Sequence, residues 1–307
     1  MYKIKDFFQK LLFSLAGSAD FILYKEQLYT KKKILVKNDR IRFFKRRSLL
    51  PINLVTKNLQ GEEFYLLLIH TDNIAHFFHD IFFPFYVEWR KNKKRVCVSI
   101  KENSFQREFL ESLIPPKDLV FLDYDTAYIF SNLIVTPEGR DLKIYPDYRE
   151  ICREIKAICF ARHGISEFRT KNLIYGRNEL SRKNLLNIDQ AFLKENSIDQ
   201  VFLSKLSFKD YLHTLASAGT FTYMVGAGVF NLLFLDDNVQ VLEINPHRNN
   251  SWAQLFGLSE LCKFNVIISN NLEHSSAAAQ DELILDSHVY FDQQIETAIK
   301  ALIARHD

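Results

Sequence analysis

Between residues 172 and 269 apolar runs alternate with amphipathic stretches in a regular series. The runs "NLIYG" (172–176), "DQVFLS" (199–204), "TFTYMV" (220–225), "VQVLEI" (239–244) and "FNVIIS" (264–269) are rich in β-branched and aromatic residues and read as strands. Helical spacing fills the intervals at 188–196, at "SFKDYLHTLASA" (207–218) and from Ala227 to about Leu235. Strict alternation with short turns predicts right-handed crossovers and a parallel sheet, hence a Rossmann-like domain. The first half reads as mixed α/β, with strands expected in "EFYLLLIH", "RVCVSI", "DLVFLDY" and "SNLIVTP". A helix from about Tyr148 to Phe160, closed by Gly164, places the domain boundary near there, giving domains 1–165 and 166–307. The closing "YFDQQIETAIKALIARH" is an amphipathic helix over about 290–305 with no strand after it, and it is expected to pack back across the domain junction.

The stretch "TDNIAHFFHDIFFPFYVEW" (71–89) sets titratable groups in a run crowded with phenylalanine. As a helix it separates into two faces: Phe77, Phe78, Ile81, Phe82 and Phe85 recur at helical spacing, while His76, His79 and Asp80 fall together between them. Thr71, Asp72 and Asn73 are natural N-cap residues, and Pro84 predicts a kink or an end, so a short helix is expected. The polar face fits either chemistry or core histidines hydrogen-bonded to backbone.

Bulk composition changes this picture little. With 307 residues, 47% hydrophobic and 25% charged, the chain has room for two domains and the make-up of a soluble globular protein. Its net charge of +3 conceals an asymmetry, since residues 1–47 hold 13 Lys+Arg against 4 Asp+Glu, leaving 27 against 33 in the remainder. The four cysteines, Cys97, Cys152, Cys159 and Cys262, show no C-x-x-C spacing, so reduced packing thiols in a cytosolic compartment are expected. No apolar run approaches the roughly 20 residues that span a bilayer. Near the N-terminus, Phe7, Phe8, Leu11, Leu12 and Leu15 line one face of a short helix, and Asp6, Gln9 and Lys10 argue against a signal peptide. The following "KKKILVKNDRIRFFKRR" interleaves basic and aromatic residues; residues 1–47 suit an anionic membrane surface or a terminal helix docked on its own domain. Nucleic acid is not expected as a partner, because most of the chain is acidic.

Ligands of open parallel sheets sit at the carboxyl ends of the strands, and three features converge there. In "MVGAGVFNLLF" a strand runs through Gly226, Ala227 and Gly228 into a helix, a place for a phosphate, although a tight turn with no ligand has the same pattern. Asn231 replaces the third glycine of a dinucleotide fingerprint, and the loop follows the third strand, not the first. Arg177, at the end of the first strand of this half, and Arg182 could grip a diphosphate. Glu243 ends "VQVLEINP", where its carboxylate could accept from ribose hydroxyls or cap the loop. Asp123 and Asp125 form a lone D-x-D, and His76, His79 and Asp80 have metal-ligand spacing but no convincing further ligand, so no metal is expected.

Taken in order, Asn73, His76 and Asp80; Arg177; Arg182 and Asn187; Gly226, Ala227, Gly228 and Asn231; and Glu243 with Pro246 resemble the signatures of glycosyltransferase family 61. The resemblance covers roughly residues 70–270, and "NIAHFFHD" is especially similar to the protein O-mannose N-acetylglucosaminyltransferases of that family. One position departs: Val225 stands where the family usually has His.

The resemblance implies a GT-B architecture: two facing Rossmann-like domains and an interdomain cleft, with a donor nucleotide-sugar in the second and the acceptor in the first; the nucleotide is expected to be of UDP or CMP type. It implies an inverting transfer in which Asp80 or His76 is the base, while Arg177, Arg182, Asn187, the turn at 226–228, Asn231 and Glu243 bind the donor without a metal or other cofactor. The expected acceptor is an oligosaccharide or glycolipid in bacterial capsule or lipopolysaccharide synthesis, and the expected location is cytoplasmic, peripheral on the inner face of the membrane. The bacterial expectation rests on the compact chain without an anchor. A nucleotide-sugar epimerase, or an inactive protein that only binds sugar nucleotides, is the alternative.

Overall fold

Runs of Val, Ile, Leu, Phe and Tyr form the strands at 63–68, 96–99, 218–224 and 240–245, and their burial on both faces explains why they lack a regular polar alternation. A computed structural model describes residues 21–24, 27–30, 55–59, 62–69, 71, 73–100, 104–123, 126–130, 132–135, 145–166, 169–176, 185–246, 251–269, 271–273 and 288–306. The expected N-terminal helix and its basic continuation at 31–47 lie outside these residues, as do Arg177, Arg182 and Asp125. The chain divides into two units, Met1–Arg140 and Asp141–Asp307.

In the first unit the described strands are β1 (Phe21–Tyr24), β2 (Gln27–Thr30), β3 (Val55–Asn58), β4 (Glu63–Leu68), β5 (Val96–Ser99), β6 (Leu119–Phe121), β7 (Thr126–Phe130) and β8 (Asn132–Val135). Strands β6-β5-β4-β8 make an all-parallel sheet. Numbered along the chain, that order is 3-2-1-4, the order in which a Rossmann sheet begins, and its direction reverses between β4 and β8. A second sheet, β2-β1-β7-β3, is mostly antiparallel and has no counterpart among the sequence expectations.

Helix α1 follows β4 in three continuous segments, Ile74–His76, a π-helical turn Phe77–Phe82, and Phe83–Asn92. It is not short, and Pro84 does not end it. Pro84 falls in the first turn of the last segment, where a missing N–H is tolerated, and the π-turn ahead of it absorbs the change of register. Helix α2 (Phe105–Leu113) is capped by Ser104, whose hydroxyl accepts from Arg107 N–H. Phe109 on α2 meets Phe77, Phe78 and Phe82 of α1, closest at 4.7 Å between ring centroids.

The second unit begins with α3 (Tyr148–His163), closed by Gly164 in the left-handed conformation at φ +63°. The division thus falls before this helix, earlier than the sequence expectation. Contacts distant in sequence tie α3 to the second unit: Lys156 Nζ donates to the Leu235 carbonyl at 2.9 Å, Arg153 pairs with Asp237 at 2.6 Å, and Tyr148 and Arg149 both reach Glu260.

Its strands are β9 (Lys171–Tyr175), β10 (Leu185–Leu186), β11 (Ile198–Val201), β12 (Ala218–Met224), β13 (Gln240–Asn245), β14 (Lys263–Ile268), β15 (Leu272–Glu273) and β16 (His288–Tyr290). Strands β11-β9-β12-β13-β14 form the all-parallel sheet predicted from the alternation, in chain order 2-1-3-4-5, the flavodoxin-like doubly wound order. Both faces are covered, because β12 and β13 are buried along their whole length. Helices α4 (Gln190–Glu195), α5 (Phe208–Ala216), a 3-10 helix Ala227–Phe234, α6 (Trp252–Phe256) and α7 (Gln293–Ile303) connect or close the series. The last of them packs on its own unit's sheet: Ile295, Ile299 and Leu302 join Ile174, Met224, Leu242 and Ile244 in one buried cluster. A small sheet, β10-β16-β15, was not anticipated from the sequence.

Candidate active site

In the first unit, α1 leaves the carboxyl end of β4, the strand beside the point where strand order reverses, which is where open α/β sheets bind ligands. Asn73 is its N-cap, accepting from Ala75 N–H at 2.9 Å, while Thr71 Oγ1 accepts from Asn73 N–H at 3.1 Å. Asn73 therefore has a local structural role. Inward, Phe77, Phe78, Phe82 and Phe85 are fully buried and the pairs Phe77–Phe82 and Phe78–Phe83 meet at five-residue spacing. The Phe83 N–H bonds the Phe78 carbonyl, five residues back, which defines the π-turn.

Outward, the same turn gathers the polar residues. Asp80 pairs with both histidines, with Oδ2 2.8 Å from His76 Nδ1 and Oδ1 2.7 Å from His79 Nδ1. Adjacent residues do not face one another on a regular α-helix, so the His79–Asp80 contact depends on the wider turn. The Asp123 of the D-x-D lies just past β6, exposed and engaged with the Tyr128 hydroxyl. Among the described residues no group of three His, Cys, Asp or Glu side chains is placed to hold a metal ion.

The second unit has its own switch point, between β9 and β12, which are paired neighbours. Gly226 follows β12 at φ +140°, ψ −154°, a conformation open essentially to glycine alone. The first 3-10 bond runs from Val229 N–H to the Gly226 carbonyl at 3.0 Å, so the N–H groups of Ala227 and Gly228, in the first turn, take no part in the helix's own bonds. Gly228 is small for a further reason: a Cβ there would lie 2.8 Å from the ring of Tyr175, the last residue of β9. Tyr175, which sequence reasoning passed over, thus links the end of the first strand to the glycine turn. Arg177 follows Gly176 directly in sequence.

Asn231, one turn into the 3-10 helix, is 6% exposed. Its Oδ1 accepts from the Tyr211 hydroxyl at 2.9 Å. Its Nδ2 finds no acceptor among the described residues and lies 3.6 Å from where a Cβ on Gly228 would sit. A buried donor without an acceptor is unfavourable by about 1–3 kcal/mol. This one is aimed at the turn.

Val225 is 2% exposed and continues the ladder through its N–H to the Ile244 carbonyl at 3.0 Å, so an apolar side chain fills the place of the family's histidine. Asn187 is exposed, at the end of β10, with φ +54°, a left-handed conformation that asparagine tolerates well.

Glu243 differs from the expectation of a ribose acceptor. It is fully buried, accepting from Tyr223 Oη at 2.6 Å and Asn245 Nδ2 at 3.3 Å, and also from the Ser251 hydroxyl and the Ala253 N–H. Burial raises its carboxyl pKa, and the four hydrogen bonds oppose that rise. With these donors its acceptor capacity is taken up, and its work is to fasten β13 to the start of α6. Pro246, three residues further on, is also buried. The cysteines are free thiols; burial pushes Cys97, Cys152, Cys159 and Cys262 up to about 12, the behaviour of packing residues. No helix among the described residues is long and apolar enough to cross a membrane.

Two parallel sheets, each with polar groups collected past the carboxyl end of a switch-point strand, define a two-unit α/β protein. The chain belongs to the Glycosyltransferase 61 family, whose match runs over residues 74–242, more than half of its length, and it therefore carries a glycosyltransferase domain. That span opens on the first residue of α1 and takes in Asp80, Arg177, Arg182, the glycine turn and Asn231, ending one residue short of Glu243. No curated protein sequence matches the chain. Among solved structures it is similar to the bacterial iron-containing dodecameric glycosyltransferase TibC from enterotoxigenic E. coli H10407, at 12% identity and a TM-score of 0.35, over 61% of this chain and 59% of that one. It is also similar to a rubredoxin oxygen:oxidoreductase from the anaerobe Desulfovibrio gigas, at 7% identity and a TM-score of 0.25, over 76% of this chain and 51% of that one. At these scores neither bears on function. The chain spans less than two thirds of the length of either.

Proposed function

We propose that the protein transfers a sugar from a nucleotide-sugar to a glycan acceptor, with inversion and without a metal ion. In this reading the division of labour is that of the GT-B class, with the acceptor side in the first unit and the donor side in the second. The observation that carries it is the buried Asn231 amide, whose Nδ2 has no acceptor among the described residues and points at the turn Gly226-Ala227-Gly228. A phosphate oxygen would supply that acceptor, and the N–H groups of the first turn of the 3-10 helix would join it. Arg177 and Arg182 would add positive charge, and Asn187 is kept as a further contact to the sugar nucleotide; Glu243 acts only by fastening α6.

The chemistry follows from those groups. The acceptor hydroxyl gives its proton to the His76–Asp80 pair, its oxygen attacks the anomeric carbon, and the bond from that carbon to phosphate oxygen breaks. Charge that builds on the departing phosphate meets Asn231, the backbone N–H groups and the arginines, the place a metal ion takes in other transferases. We assign as acceptor an oligosaccharide or glycolipid of bacterial capsule or lipopolysaccharide, reached at the cytoplasmic face of the membrane through the basic residues 1–47.

A thermal-shift panel of nucleoside diphosphates and UDP- and CMP-sugars, with and without EDTA, tests this. A ligand at 100 times its Kd stabilises by about 2.7 kcal/mol, about 5–10 °C for a domain of this size. The expected result is a shift with a UDP or CMP compound, unchanged by chelator and lost in Arg177→Ala. A shift that needs a divalent cation contradicts the reading. Conversion of the sugar nucleotide with no acceptor present would favour an epimerase.

A further inference from the structure

We infer that His76 alone is the general base, acting through Nε2, and that Asp80 and His79 are positioning residues; this rests on the transferase reading above. An ionised carboxylate donates nothing, so a ring nitrogen within hydrogen-bond reach of Asp80 must carry the proton. Both histidines meet that condition through Nδ1, at 2.8 Å for His76 and 2.7 Å for His79. Each ring therefore keeps its lone pair on Nε2. Exposure separates the two: the His76 side chain is 64% exposed and that of His79 is 12% exposed. Only His76 can present its lone pair to a substrate hydroxyl.

Asp80 is a poor choice for the base. Each of its oxygens already accepts from an imidazole, and its side chain is 26% exposed. Its position suits a different task, which is to hold His76 in the Nδ1–H tautomer and to stabilise the imidazolium that forms. His79 in turn fixes the second oxygen of Asp80, so the carboxylate cannot rotate away, and the π-turn is what brings His79 and Asp80 together. The transfer balances. The hydroxyl proton passes to His76 Nε2, the hydroxyl oxygen bonds the anomeric carbon, and the electron pair of the broken carbon–oxygen bond leaves with the nucleotide phosphate. The imidazolium then loses its proton to solvent.

The test is spectroscopic and independent of turnover. Long-range nitrogen–proton correlation spectra of the full chain, labelled at histidine nitrogen and assigned by the signals lost in His76→Gln, report which ring nitrogen carries the proton. His76 is expected as Nδ1–H in the wild type and is expected to lose that preference in Asp80→Asn. A wild-type His76 protonated on Nε2, or an Asp80→Asn variant that keeps both the tautomer and turnover, overturns the assignment. His76→Ala is expected to lower kcat by about 100- to 10,000-fold with the nucleotide-induced thermal shift intact. His79→Phe should lower kcat by less, again with the shift intact, and full activity in His76→Ala refutes the role. Absence of any nucleotide shift in the wild type would instead sink the transferase reading while leaving the tautomer result to stand.

Discussion

The two units offer the same address with opposite chemistry. In each, candidate groups follow a strand next to the reversal of a parallel sheet, β4 in the first and β9 with β12 in the second. The first unit displays titratable side chains on the outside of a helix whose inside is solid phenylalanine. The second hides its polarity: two backbone N–H groups, one buried amide, and a carboxylate turned wholly inward. The lesson is that surface chemistry can change without disturbing the fold in the first unit, whereas in the second the candidate binding groups are themselves packing groups. Substitutions should therefore separate function from stability on one side and entangle them on the other.

The largest effect is expected where the first unit's surface chemistry is anchored. Phe82 is fully buried against Phe77, Phe78, Phe83, Phe85, Tyr86 and Phe109. Phe82→Ala should destabilise by about 3–5 kcal/mol in denaturant unfolding. In the second unit, Gly228→Ala drives a methyl group into the Tyr175 ring and should be unfavourable by about 1–3 kcal/mol while also removing the nucleotide shift. Loss of either effect without the other would break the claim that packing and binding are entangled there.

A smaller effect concerns pH. The folded pKa of Glu243 is raised, chiefly by burial, so its contribution to stability is fully present below the unfolded carboxyl value and is lost as pH rises through the folded one. Glu243→Gln lacks that dependence. The difference in melting temperature between wild type and variant should accordingly move in favour of the wild type as pH falls from neutral; a constant difference counts against the buried charge. The smallest effect sharpens the contrast from the other side, since His76→Ala, on an exposed side chain, should change stability by no more than about 0.5 kcal/mol.

Much of the architecture was legible because the second unit's strands are long, apolar and evenly spaced by helical segments. Short strands outside an apolar run, such as β2, β3, β10 and β15, give no signal of their own, whereas β5, β6 and β8 are equally short and are legible because each sits in a longer apolar run. Gly164 does end a helix, but that local signal could not tell which unit the helix joins; the contacts from Lys156, Arg153 and Arg149 are long-range. The polar face of α1 was read correctly as a set. Its internal wiring was not, since it depends on a π-turn that α-helical spacing does not predict. Glu243 was assigned to a ligand because it ends a strand. Its partner Tyr223 sits opposite it on β12, a relation visible only once the register of the pair is known. Tyr175 escaped notice for the same reason, because nothing in "NLIYG" reveals that its ring lies against Gly228.

The most direct test of the account is calorimetric titration of the nucleoside diphosphate or CMP found by the panel into two variants of the full chain. Asn231→Asp keeps an acceptor for Tyr211 while replacing the buried amide donor, and His76→Ala removes the exposed imidazole. The predicted result is wild-type affinity in His76→Ala and no measurable binding in folded Asn231→Asp. Undiminished binding in Asn231→Asp, or its loss in His76→Ala, would contradict the assignment of anion binding to the glycine turn and of the proton to the first unit.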